Sequence, residues 1–146
     1  MASPIGTLVL HLYSAIQLVS GYGPAPTFPA VESIPRAVLA ARFCTEPRDC
    51  RVRAVYLPGE GVYIDDTLDV AHDVFDRSVL LHELVHHLQA TVGRFQGGPE
   101  SCDRATREER EAYIIQNRYL AMMDDPRRVT VPQVASGCAV RVAERR

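Results

Sequence analysis

The stretch HELVH, at residues 82–86, decides the fold expected for this chain. Leucine and valine residues recur around it at helical spacing, and no residue between positions 77 and 93 is charged other than Glu83. Asp76 is a suitable N-cap and Gly93 a suitable C-terminal stop for such a segment. The pattern therefore predicts a helix over residues 77–92 whose apolar stripe packs against a core.

The spacing of the two histidines in this stretch is that of a zinc site. Histidines four residues apart on a helix lie one turn above the other, so the imidazoles of His82 and His86 can bind the same metal ion. Glu83 points about 100° around the helix from His82, so its carboxylate can reach a water on the metal rather than the metal itself. Zinc lowers the pKa of such a water toward ~7, and a carboxylate can then take its proton. The stretch predicts a hydrolase with one zinc ion per chain and Glu83 as general base.

A helix of this kind can also carry histidines that bind nothing. In that interpretation His82, His86 and His87 are ordinary polar residues of an amphipathic helix. His87 points about 100° away from His86, so we expect a surface position or a supporting contact for it rather than a fourth metal ligand.

A catalytic zinc needs a third protein ligand and an open position for water. Three glutamates, Glu108, Glu109 and Glu111, lie on a second predicted helix that begins between residues 101 and 106 and ends at Met123. Glycines and a proline between the two helices allow the chain to turn and bring the second helix alongside the first. The spacing alone leaves open which of the three glutamates is the ligand.

Two β-rich runs precede the motif helix. Residues 52–57 and 61–65 are separated by the turn sequence Pro58-Gly59-Glu60, which predicts an antiparallel hairpin. With the helices, this hairpin gives an α+β fold that is mainly helical, with a small antiparallel sheet packed on the motif helix. A chain of 146 residues that is 47% hydrophobic is long enough for one domain, over residues 1–146.

The remaining segments have weaker patterns. We predict an amphipathic core helix over residues 8–19, an extended connector over residues 21–35, a short helix over residues 36–43 and a mostly irregular tail from Arg127.

The motif helix and the later segment EREAY, residues 109–113, together resemble the gluzincin-type zincins. In that family a glutamate on a later helix is the third zinc ligand, commonly in the pattern Glu-x-x-Ala-Asp or Glu-x-x-Ala-Asn. The resemblance implies that Glu109 is the third ligand, with Glu111, directly before Ala112, as the alternative. Tyr113 stands where the family has Asp or Asn, and it is a candidate donor to the developing oxyanion, with core packing as its other interpretation.

The longer pattern, mainly over residues 56–120, is similar to small bacterial metallopeptidases of the HExxH type. The resemblance implies a minimal zincin that hydrolyses peptide bonds of a peptide or protein, with the substrate lying along the strand at residues 61–65. Two alternatives stay open: a zinc-binding module without catalysis that serves protein interaction, and a zinc amidase acting on a non-protein amide.

Aspartates are frequent just before the motif helix. If they line the cleft, basic substrates are favoured, whereas the other interpretation is an ordinary polar loop with one N-cap. The residues concerned are Asp65, Asp66, Asp69, Asp73 and Asp76.

The cysteines are even in number and show no CxxC spacing, which favours disulfides over a cysteine-rich zinc site. Cys44 and Cys50 flank Pro47 closely enough for a local bridge, which leaves Cys102 to pair with Cys138. Disulfides indicate a periplasmic or secreted protein, and four reduced thiols in a cytoplasmic protein are the alternative.

The net charge of -2 gives no reason to expect a nucleic-acid partner. The chain also has no run of ~18 apolar residues, so we expect no membrane span.

Overall fold

The computed structural model describes residues 3–95 and 102–132 of the chain. Over these residues, four α-helices and a three-stranded sheet form an α+β fold that is mainly helical, which confirms the predicted class. The elements in chain order are α1 (Pro4–Val19), β1 (Val31–Ile34), α2 (Arg36–Phe43), β2 (Ala54–Leu57), β3 (Gly61–Asp65), α3 (Val74–Val92) and α4 (Cys102–Met122).

The sheet has β3 at its centre, with β1 and β2 on either side, so both edges of the strand at residues 61–65 are occupied and the expected substrate position along it is wrong. The antiparallel pair β2–β3 is the predicted hairpin, and Ala54 lies opposite Ile64 in its register. The strand β1 was not predicted, because it lies within the segment expected to be an extended connector. It pairs in parallel with β3, with Val31 opposite Val62, so the sheet is mixed rather than antiparallel. A strand of only four residues whose parallel partner is distant in sequence shows no local pattern from which it could be predicted.

Gly61 allows β1 and β3 to approach each other. Its φ is 125°, which L side chains rarely adopt, and a Cβ at this position would lie 2.5 Å from the carbonyl oxygen of Ala30. That same oxygen accepts a hydrogen bond of 2.8 Å from the backbone N–H of Val62, so it cannot move without loss of the contact at the start of β1.

We therefore expect Gly61→Ala to lower the free energy of unfolding by more than ~2 kcal/mol, because backbone strain and a backbone clash add together. The matched control is Gly59→Ala in the same hairpin, where φ is 82° but no atom lies within 4 Å of the added Cβ. Strain alone applies there, and the expected loss is ~1 kcal/mol. Urea unfolding of both variants measures the difference. Equal losses would contradict the role given to the Ala30 contact.

The helix α3 begins earlier than predicted. Its N-cap is Asp73, whose carboxylate accepts a hydrogen bond of 2.9 Å from the backbone N–H of Asp76. Asp76, the predicted N-cap, lies in the first turn instead, where its own carboxylate accepts from the backbone N–H of Asp69. The predicted end is confirmed, since Gly93 adopts the left-handed conformation and closes the helix at Val92.

The core forms around α3, which contacts α1, α4, β2 and β3. Its leucines and Val85 are almost completely buried, and each fully buried side chain of this kind stabilises the fold by ~1.5–3 kcal/mol. From α1, Leu12 and Ile16 pack into the same cluster, which confirms the predicted core helix. The consequence for function is that α3 is held on several sides, so the directions of its polar side chains are fixed.

The loop before β2 is held by a disulfide and by an arginine. Cys44 and Cys50 are bonded to each other, as predicted. The guanidinium of Arg36, at the start of α2, donates hydrogen bonds to the carbonyl oxygens of Cys50 and Val52. The predicted Cys102–Cys138 bridge lies outside the residues whose side chains the structure describes.

The short helix α2 has the predicted bounds, and α4 ends at Met122, one residue before the predicted end. None of the helices in residues 3–95 and 102–132 combines the length and the apolar character that crossing a membrane requires.

Candidate metal centre

Three donor atoms converge where α3 packs against α4. The Nε2 atoms of His82 and His86 are 3.2 Å apart. The Oε1 atom of Glu109, on α4, lies 2.9 Å from Nε2 of His82 and 3.3 Å from Nε2 of His86. His82 and Glu109 are 3% and 4% exposed, so water screens little of the interaction between these groups. The spacing of the two histidines and the resemblance to the gluzincins together predicted these three residues for one site, and the structure brings them together.

The separations fit the coordination shell of a zinc ion. Zinc binds histidine nitrogen and carboxylate oxygen at about 2.0–2.2 Å, which separates neighbouring ligand atoms of a tetrahedron by about 3.3 Å. The three separations, 2.9, 3.2 and 3.3 Å, match this value closely. Two imidazoles and one carboxylate are also the donor set of a catalytic zinc with three protein ligands and one open position.

A chain of hydrogen bonds fixes the tautomer of His82. The hydroxyl of Ser78 donates to the carbonyl oxygen of Phe75, so its oxygen accepts from Nε2 of Gln116 at 3.0 Å. The amide oxygen of Gln116 then faces Nδ1 of His82 at 3.0 Å and can only accept. Nδ1 therefore carries the proton, and the lone pair of Nε2 points at the other donor atoms.

His86 is oriented in the same way by Gln89. The amide nitrogen of Gln89 donates to the backbone carbonyl of Glu108 at 2.9 Å and to the carboxylate of Glu111 at 3.1 Å. Its amide oxygen faces Nδ1 of His86 at 2.7 Å, so this nitrogen also carries the proton. The Nε2 atoms of both histidines and one oxygen of Glu109 therefore meet, an arrangement that a positive charge between them, whether a proton or a metal ion, stabilises.

The pKa values of the cluster follow from the same geometry. Burial lowers the pKa of His86, but the carboxylates of Glu109 and Glu83 and the contact with Gln89 outweigh this and raise it to about 9. Burial raises the pKa of Glu109, but the two imidazoles hold it well below its usual range. Glu109 is thus an anion at neutral pH, as a zinc ligand has to be.

Glu83 lies beside the cluster without joining the three atoms. One of its oxygens accepts a hydrogen bond of 2.9 Å from the backbone N–H of Tyr56, in β2. Its other oxygen lies 3.8 Å from Nε2 of His82. Because β2 holds one oxygen, the second is directed toward the imidazole of His82, which is the position expected of a general base. The donor atoms of His82, Glu83 and His86 also lie within 4.8 Å of one another, a looser group that could hold a metal ion, but the tighter set is the one with Glu109.

The other two candidate ligands lie elsewhere. Glu111 accepts hydrogen bonds from the hydroxyl of Tyr22 and from Gln89, and its second oxygen is 2.9 Å from Nε of Arg94. The carboxylate of Glu108 lies 3.9 Å from Nε of Arg104. Glu111 therefore supports the cluster indirectly, through Gln89, and neither glutamate is among the converging donor atoms.

His87 belongs to the core, so the predicted surface position is wrong. It is 6% exposed, and its Nδ1 lies 2.6 Å from the hydroxyl of Tyr13, on α1. Burial lowers its pKa, which favours the neutral imidazole. The apolar rows of α3 extend around most of the helix, because α1, α4 and the sheet all pack on it. A position one residue from a ligand is therefore buried too.

Tyr113, from α4, packs against the first histidine. Its ring centroid lies 4.4 Å from that of His82. It also lines a cavity of about 140 Å³ together with His82 and Glu83. Its role as a donor to an oxyanion stays a prediction.

The sequence indicates that Gln89 and Gln116 can both face the cleft, but it was not predicted that each of them orients a histidine. A signal was present in the helical spacing: Gln89 follows His86 by three residues, and Gln116 follows Glu109 by seven, which is two turns. Each glutamine therefore lies on the same helix face as a cluster residue.

A larger cavity, of about 730 Å³, lies between the end of α1 and α4. Arginines and Glu111 line it, and no histidine does.

Fold and site together define a small α+β protein with a buried His-His-Glu cluster between two packed helices. The chain belongs to a family described as a domain of unknown function (DUF6647), and the match spans residues 1–142. No curated protein matches the chain, and no solved structure does.

Proposed function

We propose that this protein is a zinc-dependent metallopeptidase in which His82, His86 and Glu109 hold the metal and Glu83 is the general base. The observation that carries the proposal is the convergence of two imidazole Nε2 atoms and one buried carboxylate, at the separations of tetrahedral zinc ligands. Their orientation by Gln116 and Gln89 adds to it, because metal-binding histidines generally donate their second N–H to an oxygen.

Bound zinc would polarise the scissile carbonyl and lower the pKa of the attacking water. Oε2 of Glu83 takes a proton from that water, while Oε1 stays bonded to the backbone N–H of Tyr56. The same carboxyl group then donates this proton to the leaving amine. The Tyr56 contact keeps the carboxylate in one position, which reduces the conformational entropy lost in the proton transfer.

Two features favour catalysis over a zinc site that only stabilises the fold. Structural zinc sites are usually closed by four protein ligands, whereas here three donor atoms lie within 3.3 Å of one another and Oε2 of Glu83 is farther away, at 3.8 Å from Nε2 of His82. Glu83 is 2% exposed and lies beside the cluster, and a structural site has no use for a buried carboxylate in that place.

The first test is metal analysis of the purified protein, with about one zinc per chain expected. Wild-type protein incubated with a diverse peptide library should show cleavage, which a chelator removes and added zinc restores. Mass spectrometry of the library identifies the cleaved bonds. A protein that binds no zinc although His82 and His86 are intact would contradict the proposal, and zinc binding without hydrolysis of any peptide would favour the interaction module or an amidase.

We also propose that the protein works in an oxidising compartment, the periplasm or outside the cell. The disulfide between Cys44 and Cys50 supports this, because such bonds persist where thiols are not kept reduced. Mass spectrometry of the protein under non-reducing conditions, after isolation from its native cells, tests it, and free thiols at both positions would contradict it.

A further inference from the structure

The cavity next to Glu83 has arginines on one wall. Its volume is about 140 Å³, which corresponds to the liquid volume of about four or five waters, or to one acidic side chain with its carboxylate. His82, Glu83 and Tyr113 line it on the side of the candidate metal centre, and Arg51 and Arg53 line it from the segment leading into β2. A substrate side chain beside the scissile bond can therefore enter it.

Arg53 already forms an ion pair within the fold, but it shares its partner with a second arginine. Its Nε lies 3.2 Å from Oδ2 of Asp65, the completely buried carboxylate at the end of β3. Nη1 of Arg36 lies 3.2 Å from the same oxygen, so two guanidinium groups share one carboxylate. The three groups together keep a net positive charge, on the side of the cavity where Arg53 lies.

Arg51 has no partner of its own within residues 3–95 and 102–132. It makes no ion pair or hydrogen bond there, although it lines the cavity. Arginine binds carboxylates with paired N–H donors, and an exposed guanidinium at the mouth of a pocket keeps these donors for a ligand.

The aspartates before α3 do not supply negative charge to this cavity. The carboxylate of Asp65 is paired with the two arginines, and that of Asp73 caps α3. The carboxylate of Asp69 contacts His72, and its backbone N–H donates to the carboxylate of Asp76. None of them lines the cavity. These aspartates therefore give no reason to expect a preference for basic substrates. The interpretation that fits them is an ordinary polar loop.

We propose that this cavity binds an acidic side chain, of aspartate or glutamate, next to the scissile peptide bond, with Arg51 as its partner. The proposal rests on the proposed function in one respect, which is that a peptide bond is cleaved beside the cavity. The binding of the carboxylate to the cavity does not depend on that function. Phe75, Val79 and Val129 line the remaining wall and suit the methylene groups of such a side chain.

The test has a binding arm and a hydrolysis arm. Calorimetry compares the affinity of the protein as purified for N-acetylglutamate N-methylamide and for the glutamine analogue, in wild type, Arg51→Gln and Arg48→Gln. Arg48 is the matched control, because it is an exposed arginine three residues earlier in the chain that does not line the cavity. We expect wild type and Arg48→Gln to bind the acidic probe about 10-fold more tightly than the amide, and Arg51→Gln to bind both alike. Arg51→Lys, which keeps the charge, should retain part of the preference.

In the hydrolysis arm, peptides with glutamate, glutamine or lysine at each position flanking the cleaved bond are compared by kcat/KM. Glutamate should be favoured over glutamine by about 10- to 100-fold at one position, and Arg51→Glu should favour lysine there instead. An acidic preference that persists in Arg51→Gln would come from the metal and would overturn the inference. Cleavage without any acidic preference would also overturn it while leaving the proposed function intact. Arg51-dependent binding without hydrolysis would support the inference and contradict the proposed function.

Discussion

Glu109→Gln is expected to lower the affinity for zinc by more than ~100-fold, and Glu111→Gln by ~10-fold, while Glu108→Gln leaves it unchanged. The order follows from the three different positions of these side chains along one helix. Glu109 contributes an oxygen within 3.3 Å of both imidazoles, so its replacement removes a ligand and a buried negative charge. Glutamine has nearly the same size as glutamate, so the loss of zinc affinity would come from the missing charge and not from a cavity in the core.

The intermediate effect at Glu111 has a separate cause. Its carboxylate holds the amide nitrogen of Gln89, and Gln89 orients His86. Supporting contacts of this kind typically change metal affinity by ~10- to 100-fold. The carboxylate of Glu108 lies beside Arg104 instead, so this variant is a control with the same chemical change on the same helix.

Zinc affinity is measured by competition with a chelating dye, and circular dichroism verifies that each variant is folded. A different order would identify a different site. If Glu111→Gln abolished zinc binding and Glu109→Gln did not, α4 would have to be rotated from the position described, and the alternative ligand would be the correct one.

The parts of the fold that could be predicted are those with a local cause. The helix α3 follows from apolar residues at helical spacing, and its end follows from Gly93. The hairpin β2–β3 follows from two β-rich runs around a turn sequence. By contrast, β1 depends on a partner that comes after α2 in the chain, and its sequence alone gives no reason to pair.

The residues of the candidate site also fall into those with a local sequence pattern and those positioned by contacts between distant parts of the chain. His82, Glu83 and His86 could be recognised because their spacing on one helix is itself the requirement for binding one metal. The proposed third ligand, Glu109, lies on another helix, and the rotation of that helix depends on packing. A resemblance to a known family was therefore needed to favour Glu109 over Glu111, and helical spacing alone could not separate them.

Arg51 could not be found from the sequence at all. It lies in a short irregular segment after the disulfide, where periodicity carries no information. Its position at the cavity depends on Arg36, which holds the carbonyl groups of Cys50 and Val52, and on the register of β2 with β3. Each of these is a contact between distant parts of the chain.

Glu83→Gln is expected to lower kcat for peptide hydrolysis by about 10²- to 10⁴-fold and to leave one zinc per chain in place. The amide oxygen of glutamine can still accept the hydrogen bond from the backbone N–H of Tyr56, so the position of the side chain should be conserved. What the variant loses is the ability to take a proton from water at neutral pH. Removal of a proton acceptor acts in the transition state, so KM should change much less than kcat.

The matched control is Glu32→Gln, an exposed position in β1 with the same chemical change. It should keep wild-type zinc content and wild-type kcat, because it lies outside the cluster and the cavity. Comparison of the three proteins at equal zinc content separates catalysis from metal binding. Activity in Glu83→Gln within ~3-fold of wild type would show that the cleavage comes from a contaminating peptidase or from another base. Loss of both zinc and activity would instead show that Glu83 binds the metal. That result would contradict its proposed role as a base beside the three donor atoms.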